Sequence, residues 1–257
     1  VFIDPVRPVE RALVTHGHSD HARPGNAAVL ATRETLAIMA IRYGESFARE
    51  RQIAPLGERV RIGEVEASFH PAGHVRGSAQ IRLEWRGFVA VVSGDYKRAG
   101  DPTCGRFEPV PCDLFVTEAT FGLPVFRHPP AREEARKLIA SCALFPDRAH
   151  LVGAYPLGKA QRLMAELRAA GWEKPIHIHG AMRRLTDWYV EDGVDLGAIV
   201  DVSSTVRAAL GGAVVICPPS AMQDLWARRF PDPVAAFASG WMRVRARARQ
   251  RGVELPL

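Results

Sequence analysis

Directly after a short apolar run at residues 12–14, the chain reads Thr15-His16-Gly17-His18-Ser19-Asp20-His21. This H-x-H-x-D-H pattern places four potential metal ligands within six residues. It constrains the fold strongly, because the chain on either side must hold these side chains around a common centre. Residues leaving a strand two apart project to one side, so His16 and His18 can grip one cation. Asp20 and His21 lie where the chain begins to curl and can face a second. Two cations about 3.5–4 Å apart are a common device for hydrolysing phosphodiesters and related bonds. Imidazole and carboxylate without thiolate suit zinc, with manganese or iron as alternatives. The bland alternative is a fortuitous surface cluster of histidines, and a strand exit of this character argues against it.

A metal pair needs further ligands, and two stand in suitable places. His74 follows Pro71-Ala72-Gly73 at the end of a strand predicted over 65–69, and Asp95 follows Ser93-Gly94 at the end of one predicted over 88–92. In each case a glycine precedes the ligand and permits a tight turn beside a metal. A carboxylate can bridge two cations, which an imidazole ordinarily does not, so Asp95 is the natural bridge. Either residue alone would read as an ordinary turn residue.

The 257 residues suffice for one large domain or two modest ones. A hydrophobic share of 47% and a charged share of 24% lie close to the globular average and exclude a disordered or fibrous chain. No apolar run approaches the ~20 residues that span a bilayer. The net charge of +6 favours anionic partners. Only four of the 34 basic residues are lysine; a GC-rich genome produces the same arginine bias, so no function is read from it. Cys104, Cys112, Cys142 and Cys217 form no C-x-x-C pair, as expected of thiols in a reducing cytoplasm. Opening on Val1 and closing on Leu257, without a recognisable leader, the sequence is expected to be a piece of a longer cytoplasmic protein.

Two halves differ in rhythm. Up to about Ala119 the text is strand-rich, with short runs at 1–3, 12–14, 60–62, 65–69, 79–85 and 88–93, and one helix over 33–43 capped by Thr32. Arg86-Gly87 makes the turn of a hairpin. Beyond residue 120, predicted helices over 131–144, 159–170 and 222–230 alternate with strands at 151–152, 175–179, 214–216 and 235–238, as in βαβ units on a parallel sheet. A boundary near Thr120 follows: a first domain over 1–120, an α/β domain over 121–243, and the start of a return to the first domain over 244–257.

Asp4, the HGHSDH run, Gly73-His74 and Ser93-Gly94-Asp95 resemble, in order, the four leading motifs of the metallo-β-lactamase superfamily. The resemblance implies an αββα sandwich, here incomplete, with a di-metal site at one edge of its sheets. It implies that His16, His18 and His74 hold the first divalent metal, Asp20 and His21 the second, with Asp95 bridging. Asp4 would order the loop without being a ligand. Fold alone does not give the substrate. Thr117-Glu118-Ala119-Thr120-Phe121-Gly122 resembles the acidic motif at the entry to the β-CASP insertion of the nucleic-acid-processing branch, and residues 152–161, with Gly158-Lys159-Ala160-Gln161, resemble a strand–loop–helix of that insertion. Ser93-Gly94-Asp95-Tyr96-Lys97 and Ser239-Gly240-Trp241-Met242 look most like the bacterial ligase-associated DNA exonucleases. That implies a DNA-cleaving phosphodiesterase of DNA repair, with a DNA ligase or helicase among its partners. Asp20 and Glu118 are then the candidate catalytic carboxylates, and Lys97 and Lys159 the candidate substrate contacts. An RNA nuclease of the same branch and a non-catalytic nucleic-acid-binding module are the alternatives.

The family supplies two more histidines after the insertion, whereas this sequence has none beyond His179. The second metal is therefore expected to have Asp20, His21 and Asp95 only. Gly153 to Lys159 also reads as G-x-x-x-x-G-K, but Ala160 stands where a nucleotide-binding P-loop needs Ser or Thr. His177-x-His179 is expected to be structural. Arginines at every second position from Arg243 to Arg251 could line a nucleic-acid channel or form a solvated face.

Overall fold

The computed structural model describes residues 1–243 and 252–257. It divides into two compact units, Val1–Thr120 and Phe121–Leu257. The side chains of the alternating arginines from Arg243 to Arg251 lie outside the described residues.

The first unit is built on two sheets. One is parallel, with β1 (Phe2–Ile3), β2 (Arg11–Leu13), β3 (Asn26–Ala31) and β4 (Ala48–Ile53) in that order. The other has the order β5 (Arg59–Ile62), β6 (Val65–Pro71), β7 (Ala79–Trp85), β8 (Phe88–Val92) and β9 (Leu114–Val116), antiparallel except for the β8–β9 pair. Leu13 and Leu30 from the first sheet cluster with Ala67, Phe69 and Ile81 from the second, so the sheets face one another across a shared core. On the outer face of the first sheet, Ala12, Val14 and Val29 pack against Leu36 and Met39 of helix α1 (Arg33–Tyr43). That helix starts where the Thr32 hydroxyl accepts from Thr35 N at 3.2 Å and stops at Gly44, φ 84°. Arg86 and Gly87, both at positive φ, turn the β7–β8 hairpin as the sequence predicts.

In the second unit a wholly parallel sheet runs β12 (Ile199–Asp201), β11 (Ile176–Ile178), β13 (Val214–Cys217), β10 (His150–Gly153), β14 (Val234–Phe237) and β15 (Leu255–Pro256). Its helices are α2 (Ala131–Leu144), α3 (Lys159–Ala169) and α4 (Arg183–Glu191). The molecule is thus a mixed α/β protein.

Several expectations change. The helix predicted over 222–230 is two 3₁₀ segments, Pro219–Gln223 and Leu225–Arg229. Asp224 breaks it: its backbone is extended and its carboxylate caps Leu225 N. Leu255–Pro256 adds to β14 as an edge strand of the second unit's parallel sheet, where the sequence predicts the start of a return to the first domain. Strand β4 carries Arg49, Glu50 and Arg51 on an exposed edge, and that charge hid it.

Candidate metal centre

Three loops, each leaving the end of a strand, carry the candidate ligands. The first follows β2 and holds His16, His18, Asp20 and His21. The second follows β6 and holds His74; the third follows β8 and holds Asp95. Helix α1 braces the first two. Its Arg42 donates to the Gly17 carbonyl, between His16 and His18, at 2.9 Å. At its other end, Thr32 and Thr35 donate to the Gly77 carbonyl at 2.7 and 3.0 Å. The Ser78 hydroxyl then accepts from His74 N and Val75 N, which closes the His74 turn.

Both glycines that precede a ligand have positive φ, 72° at Gly73 and 55° at Gly94. Crowding constrains them as much as dihedral angle. A Cβ on Gly94 would lie 2.6 Å from Thr15 Oγ1, and one on Gly73 would lie 2.4 Å from the Lys97 carbonyl oxygen. Glycine lets the three loops approach this closely.

The ligand atoms converge. His16 Nε2 stands 3.0 Å from His18 Nδ1, which stands 3.2 Å from His74 Nε2. Asp95 Oδ2 lies 3.5 Å from His74 Nε2 and 3.8 Å from His16 Nε2. All four atoms fall within 4.8 Å of one another. A tetrahedral zinc with ligands at about 2.0–2.1 Å separates its ligand atoms by about 3.3 Å, so these spacings fit a cation better than a set of mutual hydrogen bonds. The other oxygen of Asp95, Oδ1, lies 3.4 Å from His21 Nε2, which is 3.8 Å from Asp20 Oδ2. Asp95 therefore presents one oxygen to each group of ligands.

Hydrogen bonding orients the rings. Asp4 accepts from Thr15 N at 2.8 Å and from the Thr15 hydroxyl at 2.6 Å. With its proton on Asp4, the Thr15 hydroxyl accepts from His16 Nδ1 at 3.0 Å, which leaves the Nε2 lone pair facing the cluster. The same Asp4 carboxylate lies 2.7 Å from His21 Nδ1, turning His21 Nε2 towards Asp20 and Asp95. A carboxylate behind a metal-facing imidazole is a recurring arrangement that fixes tautomer and raises basicity. Burial, with His18, His21 and His74 close by, pushes the His16 pKa well below its ordinary value and keeps the ring neutral. For His21, burial acts against protonation, but the bonds to Asp4 and Asp95 outweigh it and raise the pKa to about 10. Such a proton must leave when a cation binds. Asp95 is held below the usual carboxylate range, chiefly by His21.

Beside this centre lies a shallow, open depression of about 340 Å³ lined by Ile3, Asp4, Asp20, His21, Asp95 and Glu118. Asp20 is 74% exposed there. The Glu118 carboxylate accepts from Thr120 N at 2.6 Å. Lys97, expected to meet substrate, instead directs its ammonium at Asp101. Lys159 is the first residue of α3 in the second unit, where the Gln161 side chain accepts from Gly158 N at 2.8 Å and donates to Pro156 O at 2.9 Å. The Thr15 relay, the Arg42 brace and the Lys97–Asp101 pair escaped the sequence reading. Only the Thr that directly precedes the H-x-H carried a hint.

The chain is 29% identical over 248 residues to a probable DNA ligase of Opitutus terrae, a match covering 93% of this chain and 23% of that protein. It is 30% identical over 199 residues to a ribonuclease of Thermus thermophilus, covering 67% of this chain and 46% of that protein. It thus spans less than half the length of either relative. No protein-family model matches. A crystal structure of a protein of unknown function from Enterococcus faecalis V583 superposes with a TM-score of 0.57 at 12% identity, covering 96% of this chain and 69% of that one; this speaks to fold alone.

Proposed function

We propose, for a chain that belongs to the β-CASP branch of the metallo-β-lactamase superfamily, that its protein is a di-metal nuclease acting on DNA. The observation that carries this reading is the split of Asp95, with Oδ2 on the three-histidine cluster and Oδ1 on the His21 and Asp20 side. His16, His18, His74 and Asp95 would hold one divalent cation, and Asp20, His21 and Asp95 the other. Zinc fits the donor set best, with manganese as the alternative. When bound, the pair would supply Lewis acidity, neutralising phosphate charge and lowering the pKa of water.

The side chains have separable tasks. Asp95 fixes the spacing of the two ligand groups. Asp4 keeps His16 and His21 in the ligand-competent tautomer. Asp20, exposed at the open depression, takes up the proton released by the attacking water at its free oxygen. Glu118, beside the same opening, would assist protonation of the leaving oxygen together with one of the histidines that the family supplies after the insertion. Lys159 would contact phosphate at the start of α3.

The likeness to a protein named as a probable DNA ligase supports DNA as substrate and an association with a ligase; a role in repair and a helicase partner belong to the same proposal. A likeness to a ribonuclease supports the second reading, an RNA nuclease of the same branch. The test is to incubate single-stranded DNA, duplex DNA and RNA with protein loaded with zinc or manganese. Metal-dependent cleavage of DNA is expected. Ready cleavage of RNA with DNA spared would move the reading to RNA, and absence of bound metal would leave a non-catalytic binding module.

A further inference from the structure

We propose that Lys97 and Asp101 form a clasp that positions His74 and Asp95 relative to one another, a role distinct from contact with substrate. The inference rests on the ligand assignment above. Asp101 is 2% exposed in its side chain and accepts from the Lys97 ammonium, from Thr103 N at 3.0 Å and from the Thr103 hydroxyl at 2.7 Å. Thr103 is itself buried. A carboxylate this deep is costly unless paired. The ion pair with Lys97 offsets part of that cost, which favours keeping the ammonium on Asp101.

The Lys97 backbone is where the two ligand loops meet. Its N–H donates to the Ala72 carbonyl at 2.9 Å, and its own carbonyl occupies the space a Gly73 Cβ would need. Ala72 and Gly73 directly precede His74, and Lys97 lies two residues past Asp95. Further along the same loop, Glu108 N donates to the Pro71 carbonyl at 3.1 Å, and Tyr96 packs on Phe107 with ring centroids 5.1 Å apart. Residues 96–108 thus wrap the strand end that launches His74, and the Lys97–Asp101 pair closes the wrap. Releasing it frees the edge between His74 and Asp95, one of the contacts that define the cluster.

The experiment measures zinc affinity against a chromophoric chelator, and the visible spectrum of the cobalt-loaded protein. It compares the parent protein with Lys97→Met, Asp101→Asn, the double variant and Lys97→Arg. Outer-shell partners of metal ligands are worth about 10–100-fold in affinity. Lys97 and Asp101 act through the backbone of the ligand loops, so each single variant should lose up to about 10-fold, the low end of that range, and shift the cobalt spectrum. The double variant should be no worse than either single, and Lys97→Arg should restore most of the loss. Lys97→Met and Asp101→Asn test the clasp independently, so failure of one to fold leaves the other to decide. Unchanged metal affinity and spectrum in both would overturn the proposal. So would Lys97→Met acting only on single-stranded DNA binding in chelator, with the salt slope reduced by about one unit, the sign of a phosphate contact. A parent protein that takes up no metal would instead refute the ligand assignment on which the clasp depends.

Discussion

The chain contains two His-x-His pairs, one just past the end of β2 and one that straddles the end of β11, and they end in opposite roles. His16 and His18 turn their rings together, centroids 4.8 Å apart at 83°, and meet His74 and Asp95 arriving from two other loops. His177, in β11, is buried against the Thr205 hydroxyl at 3.2 Å. His179 accepts from Ala181 N at 3.0 Å, capping a 3₁₀ turn, and packs edge-on against Trp226. The carboxylate on the neighbouring strand, Asp201, accepts at Oδ1 from Ser203 N and Oγ. Identical spacing supplies two imidazoles in each case. What makes one pair a candidate centre is the delivery of a third imidazole and a divided carboxylate by separate strands.

The sharpest way to break this contrast is to remove one ligand from each pair. His16→Ala or Asp95→Ala should reduce bound metal by more than the 100-fold typical of outer-shell changes and abolish cleavage, by elemental analysis and nuclease assay. His177→Ala should leave metal content unchanged. If His177→Ala strips metal, or both first-unit variants retain it, the contrast fails.

Glu118→Gln comes next. Loss of a proton-transfer group costs about 10²–10⁴-fold in rate, and here it should do so at constant metal content. A parallel loss of metal would place Glu118 among the ligands.

Glycine substitutions probe why only one pair converges. Gly94→Ala combines a positive φ with a collision against Thr15, so it should destabilise the protein by roughly 1–3 kcal/mol and weaken metal binding. Gly63→Ala, at φ 62° with nothing within 4 Å of its Cβ, carries the backbone penalty alone and should leave metal affinity unchanged. Thermal melting and chelator competition separate the two effects.

The smallest effect concerns pH and the second unit. Burial lowers the pKa of His150 and of His177 below the ordinary 6.5. Unfolded imidazole takes up a proton as pH falls through about 6.5, while the folded rings resist until lower pH. Their contribution is therefore complete above 6.5 and lost on acidification. His21, with its raised pKa, contributes in the opposite sense in chelator, so the readout is a difference. His150→Gln should lose less stability than the parent protein between pH 7 and 5, as followed by the denaturation midpoint. An equal loss would mean that the His150 ring, beside the Ser141 hydroxyl at 2.9 Å, titrates normally.

Much of the centre is a matter of local covalent order, and that is why the sequence alone determined it. The H-x-H-x-D-H run, the glycines ahead of His74 and Asp95, the Thr32 cap and the Arg86-Gly87 turn all follow from spacing, dihedral freedom and capping within a few residues. Tertiary structure decided the rest. Asp4 reaches His21 across 17 positions, Thr15 sets the His16 tautomer only because Asp4 takes its proton, and Arg42 finds Gly17 across 25 positions. Lys97 reads as a candidate substrate contact, and only the fold reveals its pairing with the buried Asp101 carboxylate. The physical reason is common to all of these. Which ring nitrogen carries a proton, and which charge is committed to a partner, depends on neighbours supplied by distant strands, and on how far water has been excluded from between them.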